Sequence, residues 1–434
     1  MTSRPPARPA RRAATAIAAA LAAGAVAVPA GLLARATWGL PAAIGAGRRG
    51  ALPGTAGSAQ FRDGTFNNRL PGPVMAPVSA LGGLRRQLHR ERDRGRPVGA
   101  VPVVRPHVPA QAAELAATWL GHSTVLLEVE GRRVLVDPVW GHRVSPSPLF
   151  GPTRLHAPPL PLADLPPVDA VLVSHDHYDH LDLPTVRELL RGTAAPFVVP
   201  LGVGEHLRGW GVPEDRVVEL DWDGTTSVAG LTLACTEARH FSGRWFGRDN
   251  TLWSSWVVRG ERRAVFFGGD TGYTPAFAGI GGRWGPFDLV VLPVGAYDPA
   301  WPAVHLTPEE AVQVHGDLGG GLLLPVHWAT FNLAFHPWAE PVQRLLAATA
   351  RTGVPVVVPR PGGRVDVLDP PDVEDWWSAV GSVEDRARSP HGVGDGGEVG
   401  GGDGEQAAAE RQAPVRGVGD EGQLRHERAD VGRP

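Results

Sequence analysis

A ten-residue stretch, VSHDHYDHLD (173–182), places three histidines and three aspartates directly after an apolar run. Four of these six side chains are the candidate metal ligands: His175, His177, Asp179 and His180. Their spacing of i, i+2, i+4 and i+5 fits no single face of a helix or strand, so it predicts a loop folded around a cation. Imidazole with carboxylate suits zinc or iron, and four ligands in one loop favour two metals over one. The alternative is a solvated polar loop.

Three more ligand-type residues follow later apolar runs: His240 in EARHFSGR, Asp270 in RAVFFGGDTGY and His327 in GLLLPVHWATF. A side chain just beyond a strand can enter a cleft while its strand stays fixed in the core. We therefore expect all three to converge on the 175–180 loop. Taken singly, each has a plainer interpretation, as a turn aspartate, a surface histidine or a hydrogen-bonded core histidine.

Strand and helix patterns surround these positions. The segment 117–140 predicts a hairpin that turns at its Glu-Gly pair, and 168–174 predicts a buried strand. Helices are predicted in LDLPTVRELLRG (181–192) and in LTPEEAVQVHGDLGG (306–320), where Thr307 begins a capping box. Further strands are predicted at 197–200, 217–220, 226–235, 252–259, 263–268, 288–294, 322–326 and 354–358. Two strand-rich halves, each punctuated by helices, indicate two packed sheets with helices outside them.

The pattern H-x-H-x-D-H, followed in order by isolated His, Asp and His residues, resembles the metallo-β-lactamase superfamily. This resemblance implies an α/β (α+β) fold, an αββα four-layer sandwich with a two-metal site between its sheets. It also implies the ligand sets, with Asp270 as the bridge: His175, His177 and His240 for the first metal, and Asp179, His180 and His327 for the second. A bridging carboxylate is physically reasonable, because it screens the repulsion between cations about 3.5–4 Å apart.

Further motifs are similar to the branch that contains the phospholipase D hydrolysing N-acyl-phosphatidylethanolamine: TWLGHSTVLLE, LVDPVW, ARHFSGR, LWSSWVV, GGDTGY, DLVVLPVGAYDP and HLTPEEA. The similarity runs from about 115 to 345, with FRDGTFNN (61–68) upstream. Ala329 departs from the pattern, since glycine is usual there, and its methyl group is expected to tighten the pocket floor near His327. The branch also includes many bacterial hydrolases and resembles ascorbate-6-phosphate lactonases, so the substrate stays open.

The expected activity is that of a metal-dependent hydrolase whose two zinc ions, with iron or manganese as alternatives, share a hydroxide at neutral pH. Asp270, Asp179 and His305 are the predicted catalytic residues. Asp270 orients the nucleophile. His305, at the positive end of a predicted helix, binds a charged substrate oxygen or protonates the leaving group. His122 and Asp137, near strand ends, are expected to support the ligands, or else to make only local hydrogen bonds.

Phosphodiester bonds of phospholipids such as N-acyl-phosphatidylethanolamine are the favoured target, because an N-terminal membrane segment would hold the site near lipid. One alternative is a lactonase or other ester hydrolase acting on a small soluble substrate. Another is a metal-binding scaffold without turnover. Tyr297, Trp301, Trp328 and Phe331 fit an apolar substrate cleft, although aromatic residues near strand ends also fit a core.

Composition divides the chain into four regions. In residues 1–36 an arginine-rich start is followed by an uncharged stretch, which would be roughly 33 Å long if it formed a helix. This composition predicts a signal peptide or membrane anchor. The alternative there is a soluble alanine-rich helix. Residues 37–113 are predicted to form a Gly/Pro/Arg-rich extension that wraps the core, residues 114–382 the catalytic domain and residues 383–434 a disordered tail.

These regions also carry expectations about partners and location. The protein is expected to be membrane-associated or exported, and otherwise cytoplasmic. A net charge of -3 argues against a nucleic-acid partner, because it gives no basic field. The oligomeric state is left open.

Overall fold

The computed structural model describes residues 35, 37, 39–45, 55–74, 95–244 and 247–381. Apolar runs within them form the strands, which are, in chain order, β1 (Phe61–Arg62), β2 (Thr65–Phe66), β3 (Leu115–Trp119), β4 (Val125–Val129), β5 (Arg132–Val136), β6 (Ala170–Leu172), β7 (Phe197–Pro200), β8 (Val217–Leu220), β9 (Thr225–Val228), β10 (Leu231–Thr236), β11 (Gly243–Arg244), β12 (Gly247–Arg248), β13 (Ser255–Arg259), β14 (Ala264–Phe267), β15 (Phe287–Pro293), β16 (Gly320–Val326) and β17 (Arg364–Asp366). The helices are α1 (Leu40–Ile44), α2 (Leu183–Gly192), α3 (Val203–Gly209), α4 (Ala276–Trp284), α5 (Pro308–Asp317) and α6 (Glu340–Thr352).

Two large sheets change from antiparallel to parallel pairing part-way across. The first has the order β17-β3-β4-β5-β6-β7-β8 and is parallel from β5 to β8. The second has the order β16-β15-β14-β13-β10-β9 and is parallel from β14 to β16. Within each parallel half the carboxyl ends of the strands share one edge, which is where α/β proteins carry their binding loops.

Successive residues of the first sheet pack against different layers, as the two-residue period of a strand requires. Leu127 and Val134 belong to the core shared with the second sheet. Their neighbours Leu126 and Leu135 belong to the core beneath α2 and α3. On the other side, α5 contacts β15 and β16 and is flanked by α4 and α6. The layers are helix, sheet, sheet and helix, so the predicted αββα sandwich is confirmed.

Two helices begin at side-chain caps close to the candidate functional residues. Asp182 caps α2 directly after the 175–180 loop and accepts a hydrogen bond from Thr185 N at 3.1 Å. The predicted capping box begins α5, because Thr307 Oγ1 accepts from Glu310 N and the Glu310 carboxylate accepts from Thr307 N at 2.8 Å. Both caps fix where a loop ends and a helix starts.

Three sequence predictions about strands differ from the structure. The segment 226–235, predicted as one strand, contains the end of β9 and most of β10, which pair antiparallel across a turn at Ala229 and Gly230, both with positive φ. The segment 117–140 contains three strands, since a further turn between β3 and β4 precedes the predicted turn between β4 and β5. The strand predicted at 354–358 is wrong. Only Val356 bridges Leu323 there, and the preceding residue is Pro355, which has no N–H for a ladder.

The described part of the extension contacts the rest of the protein at several points, with Ala42 and Ala43 packed against the core beneath α2 and α3. Phe66 is buried in the core between the sheets, and its ring meets Phe61 edge-on at 5.1 Å. Nearly all of residues 1–36 and all of residues 383–434 lie outside the described ranges, so the predicted membrane segment and tail stay predictions. Among the helices that the structure describes, none has the length and apolar character needed to cross a bilayer.

Candidate metal centre

The loop between β6 and α2 is held in shape from two sides. Asp137, directly after β5, accepts hydrogen bonds from Ser174 N at 2.7 Å and Ser174 Oγ at 2.6 Å. The buried Arg244 donates through Nη1 to the carbonyls of Asp176 at 2.5 Å and Leu181 at 2.8 Å. A planar guanidinium that reaches two carbonyls fixes both ends of the loop, so His175, His177, Asp179 and His180 project from a rigid frame.

The first group of candidate ligands is His175, His177, His240 and Asp270. Their ligand atoms all lie within 4.8 Å of one another. His175 Nε2 is 2.8 Å from His177 Nδ1, and His240 Nε2 is 3.3 Å from the same nitrogen. His240 Nδ1 donates to the Val304 carbonyl at 2.9 Å, which leaves Nε2 without a proton and facing the group.

The second group contains Asp179, His180 and His327, together with His122. His180 Nδ1 donates to Asp137 Oδ2 at 2.7 Å, so its Nε2 faces inward. His327 Nε2 lies 3.5 Å from Asp179 Oδ2. His122 Nε2 lies closer to that oxygen, at 2.9 Å.

Asp270 stands between the two groups. Its Oδ2 is 3.1 Å from both His180 Nε2 and His327 Nε2, and 3.8 Å from both His175 Nε2 and His240 Nε2. One oxygen within reach of both groups is the arrangement that a bridging ligand requires. The seven residues predicted from the sequence therefore converge on a single centre.

The chemistry of these atoms fits a pair of cations. His180 Nε2 and His327 Nε2 are buried and make no well-aligned hydrogen bond with any described residue. Burial opposes protonation of both, but Asp270 and Asp179 raise the pKa of His327 to about 9 and that of His180 well above its usual value. A cation in place of those protons would satisfy the same negative potential.

Comparison with known proteins agrees with this geometry. The family described as "Beta-lactamase superfamily domain" matches residues 132–328. An uncharacterized protein of Mycobacterium tuberculosis is 51% identical over 82% of this chain and 98% of its own length. A "UPF0173 metal-dependent hydrolase" of Thermofilum pendens is 31% identical over 57% of this chain and 97% of its own. The chain belongs to the metallo-β-lactamase superfamily of metal-dependent hydrolases.

A phospholipase D is also among the superfamily relatives. The N-acyl-phosphatidylethanolamine-hydrolyzing phospholipase D 1 of Caenorhabditis elegans is 40% identical over 231 residues, which are 50% of this chain and 65% of that protein. The match therefore covers 65% of that relative's length.

His305, the other predicted catalytic residue, lies at the rim of the superfamily's two-metal position. Its Nδ1 is 3.8 Å from Asp270 Oδ2, and burial lowers its pKa to about 3. His305 is therefore a neutral imidazole near pH 7. It also lines a cavity of about 500 Å³ that has Tyr297, Trp301 and Phe335 in its walls.

The other aromatic candidates have different surroundings. Trp328 is only 2% exposed and stacks on Trp119 at 5.9 Å, which makes it a core residue. Phe331 packs edge-on against His122 at 5.1 Å. Of the four aromatic residues considered for a cleft, the structure brings Tyr297 and Trp301 to the cavity beside His305.

His122 was expected only to support the ligands, yet its ring belongs to the second group. His122 and Ala329 both have positive φ, 53° and 59°, in the left-handed region that favours glycine. The second value explains why glycine is usual in the superfamily branch at position 329. At position 122 the sequence pattern that indicates such a turn is the preceding Gly121, which comes directly after the β3 run.

Proposed function

We propose that the protein is a two-metal hydrolase of phosphodiester bonds, with phospholipids such as N-acyl-phosphatidylethanolamine as its substrates. The observation that carries the proposal is the pair of ligand groups that share Asp270 Oδ2. His175, His177 and His240 would hold the first metal, and Asp179, His180 and His327 the second, with Asp270 common to both. Two zinc ions bound there would supply a hydroxide at neutral pH and stabilise negative charge on the phosphoryl group.

The protein side chains prepare the centre for that chemistry. Asp137 and Val304 accept from the outer nitrogens of His180 and His240, so that the inner nitrogens face the centre and are available to a metal. Asp179 accepts from His122 Nε2 and keeps its carboxylate turned toward the second group. These bonds exist before substrate binds, which reduces the reorganisation needed during the reaction.

His305 is the residue best placed to meet the substrate. Its Nδ1 is buried and has no hydrogen-bond partner in the described part of the chain. Because the imidazole is neutral, it can donate one hydrogen bond to a phosphoryl or leaving-group oxygen without adding charge. We assign it the role of orienting that oxygen beside Asp270.

Two cavities of different character lie beside the centre. They support a substrate that carries an apolar group on one side and a charged or strongly polar group on the other. The cavity at His305 has aromatic and proline walls, among them Trp301 and Pro302, which suit an apolar group. A second cavity of about 620 Å³ adjoins His240 and contains Arg62 and Arg248, which suit an anionic or strongly polar group. A phospholipid offers both kinds of group. With this function we also propose a membrane-associated or exported location, on the composition of residues 1–36.

The test is metal analysis followed by assays against three substrate classes, which are phosphodiesters, phospholipids, and lactones or small carboxylic esters. The purified protein, loaded with zinc, should carry two metals per chain and hydrolyse bis-p-nitrophenyl phosphate and N-acyl-phosphatidylethanolamine in vesicles. Asp270→Asn should abolish both activities, whereas Asp215→Asn, at an exposed position of the same type, should leave them unchanged. A chelator should remove activity and zinc should restore it.

Three results would overturn the proposal. Hydrolysis of lactones or small carboxylic esters alone would make the protein an ester hydrolase for soluble substrates. Two bound metals with no hydrolysis in any class would make it a binding scaffold. If Asp270→Asn kept full activity, the metal centre would have no part in the reaction.

A further inference from the structure

The extension upstream of the catalytic domain reaches the metal centre through one side chain. Asn68 Nδ2 donates to the His240 carbonyl at 2.8 Å, and Asn68 Oδ1 accepts from His240 N at 3.2 Å. The same Oδ1 accepts from Trp253 Nε1 at 3.2 Å. The primary amide therefore bonds both backbone polar groups of one candidate ligand, across 172 positions of sequence.

His240 needs such a partner because it stands outside the regular sheet. β10 ends at Thr236, and the residues after it pair with the rest of the protein only at isolated points. One is the bridge between Arg239 and Gly272, and another is the bond from His240 Nδ1 to Val304 O. Neither bonds the His240 backbone, whereas Asn68 does, so Asn68 replaces the strand neighbour that this ligand lacks.

Asn68 is itself firmly held. Phe66, two residues before it, is 2% exposed in the core and donates through its N–H to the Asp249 carbonyl at 2.8 Å. Arg69, directly after it, forms an ion pair with Asp223 at 2.7 Å and lies over the Trp222 ring at 5.1 Å. The amide is therefore anchored on both sides and can transmit a fixed position to His240.

We propose that Asn68 is a positioning residue for the first metal, acting through the backbone of His240. Removing it leaves every ligand side chain in place but frees the main chain of one of them. Supporting residues of this kind typically change metal affinity by about 10–100-fold. The effect should fall on the group of His175, His177 and His240, because Asn68 makes no contact with the second group in the described residues.

The chain provides a matched control in the adjacent asparagine. Asn67 Nδ2 donates to the carbonyls of Thr65 at 2.9 Å and Arg62 at 3.2 Å, which lie within the extension itself. Asn67→Ala thus removes the same side chain from the same segment and leaves His240 untouched. Asn68→Asp separates the two bonds, because its carboxylate still accepts from His240 N but sets an oxygen against the His240 carbonyl in place of the donor.

The experiment titrates the metal-free full-length protein with zinc against a chromophoric chelator, and with cobalt(II) for visible absorption spectra. Asn68→Ala should weaken one of the two metals by 10–100-fold and alter one set of cobalt bands, with the other metal unchanged. Asn68→Asp should also weaken the same metal, because an acceptor then faces the His240 carbonyl, and Asn67→Ala should weaken neither. Thermal unfolding of the metal-free forms checks that all three variants are folded.

The proposal is overturned if Asn68→Ala binds both metals as tightly as the wild type, or if Asn67→Ala weakens binding as much. It is also overturned if both metals weaken equally, since that would indicate a general loss of structure. Should Asn68→Ala not fold, Asn68→Asp decides by the same readout. Because metal binding is measured, the outcome is separate from the identity of the substrate.

Discussion

Replacing Asp137 by asparagine should disable one metal position without disturbing the fold. The carboxylate is fully buried and accepts from Ser174 N, Ser174 Oγ and His180 Nδ1, at 2.7, 2.6 and 2.7 Å. Asp137 has φ of 44°, a conformation that asparagine tolerates as well as aspartate. Asp137→Asn therefore keeps size and backbone, and it changes the hydrogen-bonding capacity of one side-chain atom and the charge of the group.

The consequence for His180 follows from its two nitrogens. If the new NH₂ faces His180 Nδ1, that nitrogen must give up its proton and accept, so the proton moves to Nε2. A protonated Nε2 cannot bind a metal. If the amide turns the other way, its NH₂ meets the Ser174 N–H. A buried donor is then left without an acceptor, which lowers the free energy of unfolding by about 1–3 kcal/mol. The first orientation, with the proton on His180 Nε2, lowers the affinity for the second metal by about 10–100-fold, or ~1.4–2.8 kcal/mol.

The assay is a zinc titration of metal-free wild type, Asp137→Asn and Asp215→Asn, with the free energy of unfolding measured on the same samples. We expect one tight and one weakened zinc in Asp137→Asn, and two tight zincs in the control. Hydrolysis should fall with loss of the second metal and recover partly at high zinc. Two zincs bound at wild-type affinity in a folded Asp137→Asn protein would refute the claim that this carboxylate sets the tautomer of His180.

Three further predictions concern other parts of the molecule. Trp301→Ala should raise KM about tenfold, or ~1.4 kcal/mol, for a p-nitrophenyl phosphodiester with a long alkyl arm, and leave KM for its methyl analogue unchanged in steady-state kinetics. Burial lowers the pKa of His156 to about 4, so the folded state prefers the neutral ring. The stability this gives is complete above pH ~6.5 and is lost as pH falls toward 4, by up to about 3 kcal/mol, so His156→Gln should flatten that part of the stability profile in urea unfolding. Arg244→Lys should destabilise the protein by about 1–3 kcal/mol in the same measurement, because lysine has no counterpart of the Nε and Nη2 groups that donate to the Ala43 carbonyl at 3.0 and 2.7 Å.

The convergence of the seven candidate ligands was predictable because residue type and local position indicated each of them. The 175–180 pattern has no helical or strand period, and each later ligand comes at or soon after an apolar run, so residue type and position relative to a strand sufficed. The capping box at Thr307 was predictable for the same reason, since its partners are three residues apart. The resemblance to the superfamily then supplied the αββα sandwich and the division of ligands between two metals.

His122 and Asp137 were expected to support the ligands, but the individual contacts that supporting residues make across distant segments were not predictable. His122 joins the second group only because the turn between β3 and β4 meets the end of β16, where His327 N donates to the His122 carbonyl at 3.1 Å. Asn68 and His240 are likewise joined by tertiary packing, and no periodicity in the sequence connects them. One sequence shows which residues can bind a metal, but which atoms support them, and from which distant segment, depends on how the two sheets pack.

The positions of backbone strain explain why this packing matters for the centre. His122, Asp137 and His327 all have left-handed φ, of 53°, 44° and 65°, which costs a non-glycine residue about 1–2 kcal/mol each. Each stands where a strand gives way to a turn, and in each case a backbone or side-chain hydrogen bond opposes relaxation. His122 N donates to Thr330 Oγ1 at 2.7 Å, and Asp137 N donates to the Leu172 carbonyl at 2.9 Å. The strain turns three side chains inward at the junction of the sheets, so the energy of the sandwich core is what keeps the ligands and their supports in place.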